Sequence, residues 1–187
     1  MSDPTPWLDA DDLATWLSWL RLSTELPAVL NRELQADSDL TLQDYDVLVQ
    51  LSEVPRGRLR ISALARAIHW ERSRLSHHVK RMEARGLVVR EACDDDGRGN
   101  FVALTAAGSA ALDQASPGHV RTVQDLFFGG LDGGEKRQLA VLTAKMLARV
   151  HSAGADPSGR GGRRGTSRTG SPSPETVLTA LRTAGRP

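Results

Sequence analysis

The feature that most constrains this 187-residue chain is a succession of short patterns between residues 59 and 105. Ile61, Leu64, Ala65 and Ile68 recur at helical spacing over about two turns, and Ala65 and Ala67 leave room for a second helix to pack close. His69-Trp70 follows, a connection short enough to force a sharp angle. A second helical pattern starts near Glu71 or Arg72, and its Leu75, Val79 and Met82, spaced i, i+4 and i+7, share one face. Gly86 suits the exit of that helix, where a positive φ is wanted. Leu87-Val88-Val89-Arg90-Glu91 and Phe101-Val102-Ala103-Leu104 read as strands, joined by an acidic tip with two glycines, and Leu59 is expected as a short third strand beside them. Helix, turn, helix and a two-stranded wing, in that order, is a layout that can read a nucleic acid duplex.

The second helix carries the chemistry. At about 100° per residue, Ser73, His77, Lys80 and Ala84 stand opposite the apolar row, flanked by Arg74, Ser76 and Arg81. Residues 72–85 hold five Arg or Lys against one acid, Glu83. Short Ser and Ala side chains let a helix approach a groove floor, while Arg, Lys and His reach phosphates or the acceptor edge of guanine. Ser73, Arg74, Ser76, His77, Lys80 and Arg81 are therefore the candidate DNA contacts, with Arg74 and His77 expected on bases and Lys80 or Arg81 on phosphate. Arg98, at the tip of the wing, is placed to enter a narrow minor groove. A solvated basic helix would show the same pattern taken alone; the neighbouring patterns favour the DNA reading.

Charge is segregated along the chain, although its net value is only +1. Residues 1–54 carry eleven acids against two Arg, and residues 55–105 carry eleven Arg or Lys against six acids. The acidic N-terminal part is expected to point away from DNA. No apolar run reaches the length of a membrane span, and MSDPTPW lacks the basic and apolar regions of a secretory signal. The single cysteine, Cys93, excludes an intrachain disulfide framework, so a cytoplasmic location is expected. His69, His77, His78, His119 and His151 form no metal-ligand spacing, and neither a P-loop nor a Gly-x-Ser-x-Gly elbow is present. No catalytic residue, metal or cofactor is expected, and the chain reads as a non-enzyme. Asp94, Asp95 and Asp96 read as a solvated turn, whose charge should raise the pKa of Cys93 and blunt its reactivity.

The flanks read as helices. Leu13, Trp16, Leu17, Leu20, Leu30 and Leu34 lie along one stripe of a helix expected over residues 10–36, with Pro27 expected to kink or divide it. Thr41 and Asp44 open a second helix, whose buried face is Tyr45, Leu48, Val49 and Leu51 and which ends near Pro55-Arg56-Gly57. Thr105 caps another helix, which Pro117-Gly118 is expected to interrupt before the pattern resumes at His119. Asp132 and Glu135 form a capping box for a last helix bearing Leu139, Leu142, Met146, Leu147 and Val150. The first helix and the last two cannot bury their apolar stripes in isolation; they could do so against each other and a second copy. From Ser152 the Gly, Ser, Thr, Arg and Pro composition predicts a disordered basic tail.

Leu64-Ala65, the run SHHVKRMEARGLV from Ser76 to Val88, Asp96-Gly97-Arg98-Gly99 and Val102-Ala103-Leu104-Thr105-Ala106-Ala107-Gly108 come in order and at matching spacing. Together they resemble the winged helix-turn-helix of the MarR (multiple antibiotic resistance regulator) family. The resemblance implies a mainly α fold, a winged helix-turn-helix with a helical dimerisation region formed by N- and C-terminal helices. The expected divisions are an N-terminal dimerisation helix (1–36), a DNA-binding lobe (37–105), C-terminal dimerisation helices (106–151) and the tail (152–187). It further implies a homodimeric transcription regulator, most often a repressor, on a palindromic operator in double-stranded DNA. A small aromatic or lipophilic effector would bind between dimer base and lobe, and Trp16, Trp19, Leu20, His69 and Trp70 are the candidate pocket residues. In the family the wing aspartate, here Asp96, orients the wing arginine, here Arg98. One departure is that acids stand at Asp94 and Asp95, where the family often carries another Arg, and their charge repels phosphate. A low-specificity DNA-coating dimer, a protein-binding adaptor and a redox-responsive regulator acting through Cys93 are the alternatives left open.

Overall fold

The structure, a computed structural model, describes residues 7–92 and 100–155. They fall in two units, one ending at Thr122 and one beginning at Val123. The first contains α1 (Ala10–Ser38), α2 (Leu42–Ser52), a 3-10 turn (Pro55–Gly57), β1 (Arg58–Arg60), α3 (Ile61–Ala67), α4 (Arg72–Ala84), β2 (Val88–Ala92), β3 (Asn100–Leu104) and α5 (Ala106–Val123), whose last residue marks the boundary. The second contains a π turn (Gln124–Phe128) and α6 (Gly133–Ala155). The fold is mainly α with one small sheet, as expected.

Local chemistry sets the helix ends. The Thr41 hydroxyl accepts from Asp44 N and the Asp44 carboxylate accepts from Thr41 N, both at 3.0 Å, closing the capping box of α2. Helices α3 and α4 terminate in the same pattern of backbone bonds. Trp70 N donates to Ala65 O and His69 N to Arg66 O; Leu87 N donates to Met82 O and Gly86 N to Glu83 O. Each needs one left-handed residue, supplied by His69 (φ 54°) in α3 and by Gly86 (φ 73°) in α4. The Cβ of His69 makes its version costlier, by about 1 kcal/mol.

The sheet has the order β1-β3-β2, antiparallel throughout, with Leu59 opposite Val102 and Arg90 also opposite Val102 from the other side. The third strand expected at Leu59 is therefore present. Val102 points into the core with Leu48, Leu51, Leu64, Leu75 and Met82, all at 0% exposure. Each such side chain contributes roughly 1.5–3 kcal/mol by leaving water. On the opposite face, the guanidinium groups of Arg58 and Arg60 lie 5.0 and 5.1 Å from the centre of the Phe101 ring. Tyr45 joins α2 to α5, its hydroxyl donating to Ser116 Oγ (3.2 Å) and its ring 4.5 Å from that of His119. At Gly108 in the first turn of α5, a Cβ would collide with the carbonyl oxygen of Leu87. The Thr105 hydroxyl beside it donates to Gly86 O and accepts from Gly108 N.

Several expectations need correction. Pro117 lies inside an uninterrupted helix and does not interrupt α5; Pro27 does not divide α1, so of its two expected outcomes division is excluded. One missing backbone donor is a small loss against the remaining bonds of helices of 29 and 18 residues. Helix α2 is buried well beyond one stripe, including Asp44 and Asp46. Helix α6 continues to Ala155, past the expected start of the tail at Ser152. Residues 156–187 lie outside the described residues, as do Cys93, Asp94, Asp95, Asp96 and Arg98. The capping box at Asp132 and Glu135 is formed, with Asp132 N donating to Glu135 Oε2 and Glu135 N to Asp132 Oδ1.

Candidate nucleic-acid interface

Helix α4 is polarised as its sequence pattern requires. Leu75, Val79 and Met82 are completely buried, while Ser73, Arg74, His77, Lys80 and Arg81 are exposed and Ser76 is half-buried. The Ser76 hydroxyl donates to Arg72 O, one turn back (2.8 Å). Glu83, the single acid of the helix, is neutralised: its carboxylate accepts from Arg90 N (3.0 Å) and Arg90 Nε (2.8 Å). These hydrogen bonds to Arg90 hold the Glu83 carboxyl below its usual range. They also tie α4 to β2, and the outward charge of the helix stays positive.

Two of the exposed arginines are held by neighbours. The Arg74 guanidinium lies 4.2 Å from the centre of the Trp70 ring, a cation–π distance. Arg81 NH2 stands 2.9 Å from His78 Nδ1. A guanidinium only donates, so Nδ1 accepts and Nε2 carries the ring proton. That Nε2 lies 3.0 Å from Asp44 Oδ1, and the His78 ring meets Trp70 edge-on with centroids 5.3 Å apart. His78 and Asp44 are both buried. Asp44 Oδ2 accepts from Arg85 NH1 at 2.7 Å, and Arg85 NH2 donates to Asp39 O at 2.7 Å. Burial alone would push the Asp44 carboxyl up; the facing His78 ring, hydrogen bonds from Thr41 and the bond from Arg85 together hold it well below the usual carboxylate range, the His78 Nε2 approach to Oδ1 being a close contact out of line for a hydrogen bond. A groove of about 510 Å³ opens above this cluster, with Gln43 of α2 on one wall and Arg74, His77 and Arg81 on the other.

The candidate pocket residues are distributed differently. Trp16, Trp19 and Leu20 are 41–48% exposed on α1. His69 is exposed at the end of α3, and Trp70 is 9% exposed, packed between Arg74 and His78. Asp44 and His78 are site residues that the sequence reading missed. His78 falls within 60° of Leu75 on a helical wheel, so its place on the buried face was readable; its partner 34 positions away was not. Among the described residues there is no group of metal-ligating side chains, and no helix is long and apolar enough to cross a membrane.

Comparison with known proteins agrees with this geometry. A MarR family model matches residues 38–99, from the last residue of α1 to the position before β3. The transcriptional regulator HosA of Escherichia coli O111:H- is 36% identical over 109 residues, 58% of this chain and 78% of HosA. Among solved structures, Sco3205 of Streptomyces coelicolor, a MarR family transcriptional regulator in complex with DNA, is 37% identical with a TM-score of 0.71; the match covers 85% of this chain and 97% of Sco3205. AbsC of the same organism, another MarR family transcriptional regulator, is 34% identical with a TM-score of 0.73, over 79% of this chain and 99% of AbsC. At these identities and coverages, the chain belongs to the MarR family of transcriptional regulators.

Proposed function

We propose that the protein is a sequence-specific DNA-binding transcription repressor that acts in the cytoplasm as a homodimer. The observation that carries this reading is the polarity of α4, whose docking face is fully buried while Ser73, Arg74, His77, Lys80 and Arg81 face out. Each α4 enters a major groove, Arg74 and His77 meet base edges, and Ser76, Lys80 and Arg81 support the backbone contacts. Arg98 of the wing reaches the adjacent minor groove. The relative Sco3205, solved in complex with DNA, supports the same use of the fold.

The second copy docks on apolar surface that the single chain leaves open. Leu13, Trp16 and Leu17 of α1 are exposed, as are Val141, Leu142, Met146 and Val150 of α6. Two-fold symmetry then calls for a palindromic operator with half-sites about one helical turn apart. A small aromatic or lipophilic effector binds through Trp16, Trp19, Leu20, His69 and Trp70, and releases DNA only to the extent that it favours one spacing of the two α4 helices over the other. The region boundaries follow from the same reading: dimer helices at 1–36 and 106–151, the DNA-binding lobe at 37–105 and a basic tail beyond.

Gel-shift titration against duplexes selected from random sequence tests the reading. Arg74→Ala and Arg98→Ala should each weaken binding to the selected duplex by about 10-fold or more. Unchanged affinity in both would refute this docking. A DNA-coating dimer would instead bind selected and random duplexes alike, with a steep salt dependence.

A further inference from the structure

A buried carboxylate lines the groove beside the outward face of α4. Asp44 is 2% exposed and belongs to the first turn of α2, yet its two oxygens are engaged from α4 and its C-cap: Oδ1 faces His78 Nε2 and Oδ2 accepts from Arg85 NH1. Those partners lie two turns apart on α4, so a single group on α2 fixes the helix at two points along its length. From His78 the contacts continue outward. Its Nδ1 accepts from Arg81, and its ring packs edge-on against Trp70, whose face holds the Arg74 guanidinium. The capping box adds a second constraint, because Asp44 also accepts from Thr41 N and so cannot shift without opening the end of α2.

We propose that Asp44 is a positioning residue for DNA reading, setting the pose of α4 through His78 and Arg85 and the directions of Arg81 and Arg74 through His78 and Trp70. The inference rests on the reading of α4 as the DNA-reading helix. Its physical basis is that Arg and Lys are long, rotamer-rich side chains. Ordering Arg74 and Arg81 before DNA arrives lowers the entropy lost on forming specific contacts, whereas loose phosphate contacts need no such order. The Arg85–Asp44 bond suits this purpose, because it is charge-assisted, short at 2.7 Å and directional, and its carboxylate is buried.

The test uses the full chain with two variants. Asp44→Asn keeps an oxygen for Thr41 N but removes the charge that Arg85 and His78 face. His78→Phe keeps the ring against Trp70 but removes both nitrogens. Affinity is measured by fluorescence anisotropy, at one salt concentration, for a duplex selected by the wild-type protein and for its scrambled version. Both variants should lose about 10-fold or more of the selected-over-scrambled ratio, while affinity for the scrambled duplex holds or, in Asp44→Asn, rises. Partial unfolding would lower both affinities in step and leave the ratio in place, so the ratio separates positioning from mere stability. Amide hydrogen exchange of the free protein supplies a DNA-independent readout, in which residues 72–84 should exchange faster in both variants while residues 100–104 do not change. An unchanged ratio in either variant, or unchanged exchange in α4, overturns the proposal. If the wild-type protein selects no sequence at all, the DNA reading fails, and the exchange result alone decides whether Asp44 fixes α4.

Discussion

The lobe from α2 to β3 and the helix α1 that leads into it use leucine to different ends. In the lobe, Leu48, Leu51, Leu64 and Leu75 are completely buried. On α1, Leu13, Leu17 and Leu20 occupy an equally regular stripe and are 41–54% exposed. The second unit repeats the lesson on α6, where Val141, Leu142 and Met146 are more than half exposed. Amphipathic spacing tells which side chains require burial, but not what will cover them. In the lobe the cover is supplied within a few tens of residues by neighbouring elements. On α1 and α6 these side chains stay exposed, and a second copy of the chain is the occupant we propose.

The sharpest way to break this contrast is to remove the same atoms from each region. Leu48→Ala should lower the unfolding free energy by about 3 kcal/mol at every protein concentration, read by chemical denaturation. Leu17→Ala should change it by under about 0.5 kcal/mol in dilute protein, while weakening the dimer in sedimentation and making the thermal midpoint fall more steeply on dilution. Equal and concentration-independent losses would erase the distinction.

A closed core also traps what an open surface would leave in water. Asp46 on α2 is 6% exposed, and burial pushes its carboxyl up to about 7. The folded chain therefore binds this proton more tightly than the unfolded chain. Asp46 favours folding most below the usual carboxylate range, and that contribution declines as pH rises from about 4 to about 7. Asp46→Asn should consequently gain stability over the wild type across that interval and hold a constant advantage above it, measured by denaturation at pH 5 and pH 8. Asp44 works with the opposite sign, since its carboxyl is held low and its contribution is lost as pH falls below the usual carboxylate range. It is present in both proteins and cancels from the difference. A gap that narrows toward pH 8 would contradict the burial of Asp46.

A small effect also lies between the two helix ends built on the same backbone pattern. His69→Gly should raise stability by under about 1 kcal/mol, because relief of the left-handed strain is partly offset by the greater freedom of glycine in the unfolded chain. A loss of stability would mean that the His69 side chain contributes contacts worth more than that strain.

Much of the lobe was legible in the sequence because its signals are local. Thr41 and Asp44 are three residues apart, Gly86 ends its own helix, and Leu59 reads as a strand from its position beside the wing. The outward row of α4 followed from periodicity alone. What was not legible depends on distance or on summed energies. Pro27 and Pro117 carry a strong local penalty, yet each sits in a helix long enough to absorb it. Asp44 read as a cap and nothing more, since its pairing with Arg85 spans 41 positions. Nothing in the sequence showed that Trp70 has the Arg74 guanidinium on its face.

The crowding at Gly108 has a mechanical consequence. Where α5 begins, its backbone rests directly on the carbonyl of Leu87, with no side chain between them to bend or change rotamer. A side chain introduced at this position would have to push the start of α5 away from the chain leaving α4, so the glycine sets how closely the two can approach.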